Sequence, residues 1–506
     1  MKEQKQVSRR SFLAMLGTGA AALAAASTGL DSFIGKASAA TWTPKPTALP
    51  FPALQPVTTD YLLAADGYTI DVLAHHGDSL RGTAQLGVGG GYVGFRPGTD
   101  ASTGLVWVNH TALPNHAADN RGVSVMGVKR TANGSWSLDK ENPAARRLTA
   151  SERVQLTGKA KGSKAVHGAS VTQGIWSNGS GGATLWGTAF VGEQTNDTQA
   201  AQTGMPPSSY GWLAEFDPSD SSFKPRKHSA LGRFAHGHAV TTLSKNGRVV
   251  VYMGGQHALY KFVSSGQYHA GNGTANSSLL EEGTLYAADL GKGNWIALNA
   301  SAIAPILADR TFKVPAGVTW LREDLIDMLQ DEASVLTNAH EAALVLGATR
   351  LENATGIALH PADGSLFITQ TGNAEAGNGF GSIMRLVEQQ DDAASLSFEA
   401  DLTTAGGRQA GFSSPNSALF DDAGRLWLST AIPASRLNEG SYAAFGNNAI
   451  YALSPSGETF AKAESFAYAP ANATLASVAF GAGDTLFTVV QQQNEPSSSV
   501  VAIRKK

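Results

Sequence analysis

The feature that most constrains the fold is a hairpin pattern that recurs in the chain. Each copy has an apolar strand, a turn with glycine and a second apolar strand, and the copies lie at 238–253, 354–369, 415–430 and 475–490. Their turn glycines are Gly247, Gly364, Gly424 and Gly483, which are 117, 60 and 59 residues apart. A period of about 59 residues that contains hairpins is typical of four-stranded β-propeller blades, and the first gap is about two periods.

These repeats predict an all-β fold, a β-propeller that occupies residues 58–506 as a single domain. The length fits six or seven blades, and an array of β-sandwiches is the alternative. Apolar residues at helical spacing over 322–336 and 339–346 predict a small helical insertion near 322–346.

The N-terminal sequence is typical of a targeting segment. Residues 8–16, SRRSFLAML, resemble a twin-arginine export signal, and Ala-Ser-Ala at 37–39 resembles a cleavage site. We therefore predict a signal peptide over 1–39, a Pro-rich lead-in over 40–57, and a protein exported in the folded state to the periplasm or secreted. The alternative is an uncleaved membrane anchor over 12–30. After cleavage no stable membrane span is expected.

Charge and cysteine content exclude several functions. The chain has no cysteine, so it has neither disulfides nor thiolate metal ligands. Cleavage after residue 39 removes five basic and two acidic residues, which changes the net charge from −3 to −6. Because no large basic patch remains, we expect no nucleic-acid partner, and we expect a monomer.

An ordered set of motifs resembles one known family. The motifs include NPAARRLT (142–149), NGSGGATLWGT (178–188), YGWLAEFDP (210–218), LGRFAH (231–236), DDAGRLWLST (421–430) and FGNN (445–448). Together they are similar to the PhoX-type alkaline phosphatases. The resemblance implies a six-bladed propeller, hydrolysis of phosphate monoesters, and an iron pair with calcium ions held at one end of the channel by acidic residues and one cysteine.

The chain departs from that family at its metal ligands. Neutral residues stand where the resemblance implies acids or the cysteine, at Thr111, Gly179, Gly237, Gly255, Gln256, Thr355, Asn416 and Ala431. Iron and calcium need several anionic ligands each, so this set predicts a dismantled site. We therefore expect a pseudoenzyme that binds a ligand or partner, such as a small phosphorylated or other anionic molecule. A metal-dependent phosphomonoesterase with a sparser site is the alternative.

Three residues are candidates for such a sparser site. Glu193, His236 and His238 could together hold one transition metal, with water as a further ligand. The competing interpretation makes Glu193 a structural acid and the histidines hydrogen-bonding residues near the channel mouth. Four more residues match family positions at the channel mouth: Asn109, His110, Gln491 and Glu495. Any cofactor beyond the calcium and iron implied by the resemblance is unknown.

Overall fold

The computed structural model describes residues 48–111, 121–195, 206–373, 377–456, 459–493 and 495–506. Its strands form six blades around one axis, which confirms the predicted β-propeller. The predicted signal peptide and residues 40–47 of the lead-in lie outside the described residues. No helix in the described ranges is both long and apolar enough to cross a membrane.

The first two blades follow four short strands. The N-terminal strands are β1 (Leu63–Ala64), β2 (Tyr68–His75), β3 (Ser79–Arg81) and β4 (Ala84–Gln85). Blade 1 contains β5 (Tyr92–Pro97), β6 (Thr103–His110), β7 (Gly122–Arg130), β8 (Trp136–Asp139) and β9 (Arg146–Leu148). Blade 2 contains β10 (Arg153–Thr157), β11 (Val171–Gln173), β12 (Ser177–Ala183), β13 (Ala189–Glu193), β14 (Leu213–Phe216) and β15 (Arg226–His228).

The remaining four blades follow in chain order. Blade 3 contains β16 (His236–Leu243), β17 (Arg248–Gly255), β18 (Leu259–Gln267), β19 (Gly283–Asp289) and β20 (Asn294–Ala297). Blade 4 contains β21 (Ala354–Leu359), β22 (Leu366–Gln370), β23 (Ser382–Glu388) and β24 (Phe398–Ala405). Blade 5 contains β25 (Pro415–Phe420), β26 (Leu426–Thr430), β27 (Ala449–Leu453), β28 (Pro455–Ser456), β29 (Thr459–Phe460) and β30 (Glu464–Tyr468). Blade 6 contains β31 (Ala473–Leu475), β32 (Ala479–Gly481), β33 (Thr485–Gln492) and β34 (Ser498–Lys505).

The repeated hairpin is the inner half of each of the last four blades. It joins β16 to β17, β21 to β22, β25 to β26 and β32 to β33, all antiparallel. The four predicted turn glycines have φ of 77°, 68°, 73° and 61°. Only glycine adopts this left-handed region at low cost, so the turn residue fixes where each hairpin reverses.

The N-terminal strands close the ring. Strand β2 pairs antiparallel with β34, from Tyr68 opposite Lys505 to His75 opposite Ser499. Strand β1 pairs with β30 of blade 5. The part of the Pro-rich lead-in that the structure describes also packs on blade 5, where Phe51 contacts Trp427 and Phe466 with ring centroids 5.7 and 4.9 Å apart. The start of the chain thus completes the last two blades.

The helical insertion between blades 3 and 4 is longer than predicted. It contains α1 (Ala300–Ala308), α2 (Arg322–Met328), α3 (Glu332–Thr337) and α4 (Ala339–Val345). The prediction near 322–346 is confirmed for α2 to α4, whereas α1 was not predicted. The helices are packed on blade 3 through a core that includes Ile303, Leu325 and Ala342, all fully buried. Short 3₁₀ helices lie at Lys164–Val166, Pro207–Ser209, Ser229–Leu231, Ala270–Leu280, Gln389–Asp391 and Gly440–Phe445.

Candidate functional site

A pocket of about 240 Å³ lies on the propeller axis, and we call it the axial pocket. All six blades contribute to it, because it is lined where their inner strands begin and where some second strands end. Its lining residues are Gly90, Gly91, Thr111, Asn178–Ser180, His236–His238, Thr355, Asn416, Thr430, Ala431, Thr474–Ala476 and Gln491. In the part of the chain that the structure describes, this lining contains hydroxyl, amide and imidazole groups and no carboxylate, thiol or ammonium group.

Six positions identified from the family resemblance converge on this pocket. They are Thr111, Gly179, Gly237, Thr355, Asn416 and Ala431, from five different blades. They are far apart in the sequence, and the inner ends of the blades bring them together. Gly255 and Gln256 line a different cleft, described below. These six positions therefore share one pocket, and the side chains there are uncharged.

Two of these positions have no room for a side chain. Gly179 has φ of 82°, and a Cβ built there would overlap Thr111 Cγ2 and come within 3.1 Å of Gly91 Cα. A Cβ on Gly237 would lie 2.8 Å from the Thr355 carbonyl oxygen and 3.1 Å from the Gly254 carbonyl carbon. The Thr111 side chain crowds Gly179 and backbone atoms crowd Gly237, so a longer side chain would require Thr111 to move at the first position and the backbone to move at the second.

Glu193 is buried in an ion pair away from the axial pocket. Its Oε1 lies 2.8 Å from Lys227 Nζ, and both side chains have zero exposure. The carboxylate also accepts hydrogen bonds from the backbone amides of Trp176 (2.7 Å) and Trp212 (3.2 Å). Burial raises the pKa of Glu193, while Lys227 and these two amides act in the opposite direction. The geometry is that of a carboxylate whose charge is already balanced.

Glu193 and His236 lie on opposite sides of β13. A Cβ on Gly192 would lie 3.1 Å from His236 Cβ, so that side of the strand faces the histidine. Successive strand residues alternate between the two faces, which directs Glu193 away from His236. Across the part of the chain that the structure describes, no three His, Asp or Glu side chains are grouped so that they could hold a metal ion.

His236 contributes its backbone to the pocket wall. Its carbonyl accepts hydrogen bonds from Asn178 Nδ2 (2.6 Å) and Ser180 Oγ (2.9 Å), which join blades 2 and 3. Its ring packs on Phe234 with centroids 3.8 Å apart, and its Nε2 lies 3.2 Å from the Gly232 carbonyl oxygen. Burial lowers the pKa of His236 to about 3, so the ring is neutral at physiological pH.

His238 separates the axial pocket from a second cavity further along the axis. This second cavity, of about 350 Å³, is lined by the middle and far parts of the inner strands. His238 lines both cavities, and its ring lies 5.4 Å from that of Tyr92. Burial lowers the pKa of His238 to about 4 and raises the pKa of Tyr92. Two neutral rings therefore mark the boundary between the cavities.

Asn109 and His110 hold the loops of blade 1 in place. Asn109 Nδ2 donates to the carbonyls of Ser180 (2.8 Å) and Phe190 (2.9 Å) in blade 2. The His110 ring lies 2.7 Å from both the Gly89 carbonyl oxygen and Ser124 Oγ. Burial, and secondarily Arg147, lowers the pKa of His110 far below its usual value. The His110 ring and the amide nitrogen of Asn109 are thus used by contacts within the protein.

Gln491 lies at the axial pocket, whereas Glu495 does not. Gln491 lines the axial pocket, where its Oε1 accepts from the Gly90 amide (3.0 Å) and Thr111 Oγ1 (3.2 Å). Glu495 is exposed and is not among the residues that line the pocket. Sequence reasoning missed Asn178, Thr474 and Tyr92 as members of this region. Thr474 directly precedes the repeat copy at 475–490, which was the signal that could have found it, whereas Asn178 and Tyr92 lie outside the four copies.

The fold and the pocket define a six-bladed propeller with a polar site at one end of its axis. The family model for alkaline phosphatase PhoX matches residues 49–494, and the chain belongs to the PhoX family. The structure is similar to that of Pseudomonas fluorescens PhoX in complex with vanadate, a transition state analogue. The TM-score is 0.74 with 25% identity, over 90% of this chain and 98% of that chain.

Other solved structures are more distant. A gluconolactonase from Xanthomonas campestris is 11% identical with a TM-score of 0.33, over 90% of this chain and 99% of that one. A Trypanosoma rangeli sialidase is 9% identical with a TM-score of 0.41, over 87% of this chain and 60% of that one. A search of curated proteins found no match.

Proposed function

We propose that this chain is an exported, monomeric PhoX-family pseudoenzyme. In this proposal its phosphatase metal site is dismantled, and its axial pocket binds a small phosphorylated or other anionic ligand without hydrolysing it. One observation carries the proposal: six positions that the family resemblance assigns to metal ligands meet in one pocket, and none is a carboxylate or a thiol. Function resides in such a site and not in the fold that presents it.

The donor groups of the axial pocket do not fit an iron pair with calcium ions. Calcium takes six to eight oxygen ligands, several of them carboxylates, and iron takes imidazole, carboxylate or thiolate. Of the family positions, Gly179 and Gly237 offer no side-chain donor, and a side chain added at either would overlap neighbouring atoms. Glu193 has its charge balanced by Lys227. The described residues of this pocket therefore lack the ligands that these metals need.

Hydrogen bonds from neutral groups would hold the ligand. No lysine or arginine is among the residues that line the axial pocket in the described part of the chain. The amide nitrogen of Gln491 and the side chain of Asn416 make no hydrogen bond to other described residues. They are therefore available to a ligand rich in oxygen atoms. Because such donors carry no net charge, they do not neutralise an anion. They would distinguish ligands by the positions of the oxygen atoms that accept their hydrogen bonds.

The alternative function is a metal-dependent phosphomonoesterase with a sparser site. Membership of the PhoX family favours it, and so does the presence of His236 and His238 at the pocket. The relative from Pseudomonas fluorescens binds a transition state analogue, which is the behaviour expected of an active phosphatase. Metal content and turnover distinguish the two functions.

The deciding experiment uses the full chain, expressed in a host with twin-arginine export and purified from the periplasm. Pseudomonas fluorescens PhoX, prepared in the same host, is the control for metal loading. We expect elemental analysis to find iron and calcium well below one equivalent, and no hydrolysis of p-nitrophenyl phosphate after both metals are added. Stoichiometric metal together with turnover that a chelator abolishes would establish the alternative.

Ligand binding is tested separately by titration calorimetry with p-nitrophenyl phosphate and inorganic phosphate. We expect saturable binding that weakens in Gln491→Ala and Asn416→Ala, with no release of p-nitrophenol. If the folded protein binds neither compound, the proposal of an anionic ligand is wrong. That result would leave the proposal of a pseudoenzyme intact.

A further inference from the structure

A third cavity, which we call the insertion cleft, lies between blade 3 and the helical insertion. Its volume is about 290 Å³. Blade 3 and the loop before it contribute Phe234, Gln256 and Tyr260, and the insertion contributes Trp320 and Glu341. The cleft shares no lining residue with the axial pocket. The function proposed for the axial pocket therefore does not account for this cleft.

Three planar polar side chains in the insertion cleft have unused hydrogen-bonding groups. Gln256, His340 and Glu341 make no side-chain hydrogen bond or ion pair with any other residue in the described ranges. The His340 ring contacts the His257 ring, with centroids 5.4 Å apart. An amide, an imidazole and a carboxylate supply both donors and acceptors within one cleft.

The same cleft has an aromatic surface. Trp320 lies in the segment before α2 and lines the cleft, yet 45% of it is exposed. Phe234 and Tyr260 stack with centroids 3.9 Å apart and are almost fully buried, so they form a rigid wall. Trp320 is thus the aromatic side chain that a ligand could cover, which would remove its apolar surface from water.

We propose that the insertion cleft is a carbohydrate-binding site for one or two sugar rings. A sugar ring has an apolar C–H face that stacks on an indole, and it has neighbouring hydroxyl groups that pair with planar amides and carboxylates. Trp320 takes the first role, and Gln256, His340 and Glu341 take the second. A metal ion is not the ligand, because the described residues contain no group of three suitable ligands.

In the described ranges, the lining side chains Glu341 and Arg233 carry opposite charges, so together they offer no net positive charge to a phosphate ligand. Glu341 repels an anion, and Arg233 uses its guanidinium for the carbonyls of Tyr210 (2.6 Å) and Pro207 (2.9 Å). A neutral sugar incurs no such repulsion, and its hydroxyl groups can both donate to Glu341 and accept from Gln256.

The test is titration calorimetry of the mature protein with glucose, maltose, cellobiose and N,N′-diacetylchitobiose. We expect saturable binding of at least one of these sugars. Trp320→Ala should weaken that binding by about tenfold or more, and Trp320→Phe should restore most of it. Glu341→Gln should weaken it less. Thermal unfolding of each variant confirms that it is folded, which is expected because Trp320 is half exposed.

Two control variants locate the sugar. Leu321→Ala removes the 68% exposed neighbour of Trp320, and Asn416→Ala alters the axial pocket. Both should bind sugar like the natural chain. The proposal is overturned if none of the four sugars binds, if Trp320→Ala binds normally, or if Asn416→Ala is the variant that loses affinity. Binding of adenosine or uridine in place of every sugar would also overturn it.

Discussion

The axial pocket and the blades around it differ in whether their buried side chains are charged. At the axis, the lining side chains are uncharged and several positions are glycine. Away from the axis, three carboxylates with little exposure each lie beside a basic side chain: Glu193 with Lys227 and Glu215 with His228 inside blade 2, and Glu388 of blade 4 with Lys261 of blade 3. The acids of these three pairs therefore connect strands, whereas the six axial positions carry no acid.

The blade networks show what keeps a buried acid in place. Glu388 lies 3.0 Å from Lys261 Nζ and accepts from Tyr252 (2.7 Å) and Trp295 (3.0 Å). A buried charge with such partners is expensive to disturb, because removing one partner leaves the other charged and unpaired. The described residues that line the axial pocket include no lysine or arginine, so uncharged side chains there leave no basic partner unpaired. Four changes in the free energy of unfolding are therefore expected, and they are given from the largest to the smallest.

The largest effect is expected from Lys227→Met. The substitution keeps the length of the side chain but leaves Glu193 buried and unpaired, which should lower the free energy of unfolding by about 3–5 kcal/mol. Urea denaturation measures the loss. The double variant Glu193→Gln with Lys227→Met should recover much of it. If Lys227→Met were as stable as the natural chain when calcium or iron is present, a metal would be the true partner of Glu193.

The next effect is a loss of stability in acid. Burial lowers the pKa of His238 to about 4, whereas an unfolded histidine titrates near 6.5. Between these pH values the unfolded chain binds a proton that the folded chain does not, so the free energy of unfolding falls as the pH drops. His238 should account for about 3 kcal/mol of the loss between pH 6.5 and 4, and for none above that range.

The check is urea denaturation at several pH values. His238→Gln should show a shallower fall in stability over this range than the natural chain. His76→Gln, which alters an exposed histidine, is the matched control and should follow the natural chain. Equal slopes for His238→Gln and the natural chain would mean that His238 is not buried in its neutral form.

A smaller effect is expected from Gly179→Ala, which adds one methyl group at the axial pocket. The left-handed backbone costs about 1–2 kcal/mol, and the overlap with Thr111 adds to it, so we expect a loss of about 2 kcal/mol or slightly more. Gly77→Ala has a similar φ of 85° with nothing within 4 Å, so it isolates the backbone cost. Equal losses in the two variants would show that the space beside Gly179 is open.

The sequence contained enough to predict the fold and the positions of the pocket. Turn glycines such as Gly364 and Gly424 mark the repeat. They are predictable because the positive φ of a tight turn requires glycine locally, whatever the rest of the fold is. The pairing of Glu193 with Lys227 could not be predicted, because the two residues come from β13 and β15 and meet only when blade 2 folds. The insertion cleft was also missed, since it arises from the packing of α2 to α4 on blade 3, which has no local pattern.

The smallest effect on stability is expected from Asn416→Ala in the axial pocket. The Asn416 side chain makes no hydrogen bond to other described residues, and the contact that this residue does make uses its carbonyl, which accepts from Thr355 Oγ1 at 3.1 Å. The substitution leaves that carbonyl in place, so the free energy of unfolding should change by less than about 0.5 kcal/mol. Urea denaturation of this variant beside Lys227→Met compares the two regions directly. A loss above about 2 kcal/mol in Asn416→Ala would make the axial polar groups part of the scaffold, and the contrast between pocket and blades would fail.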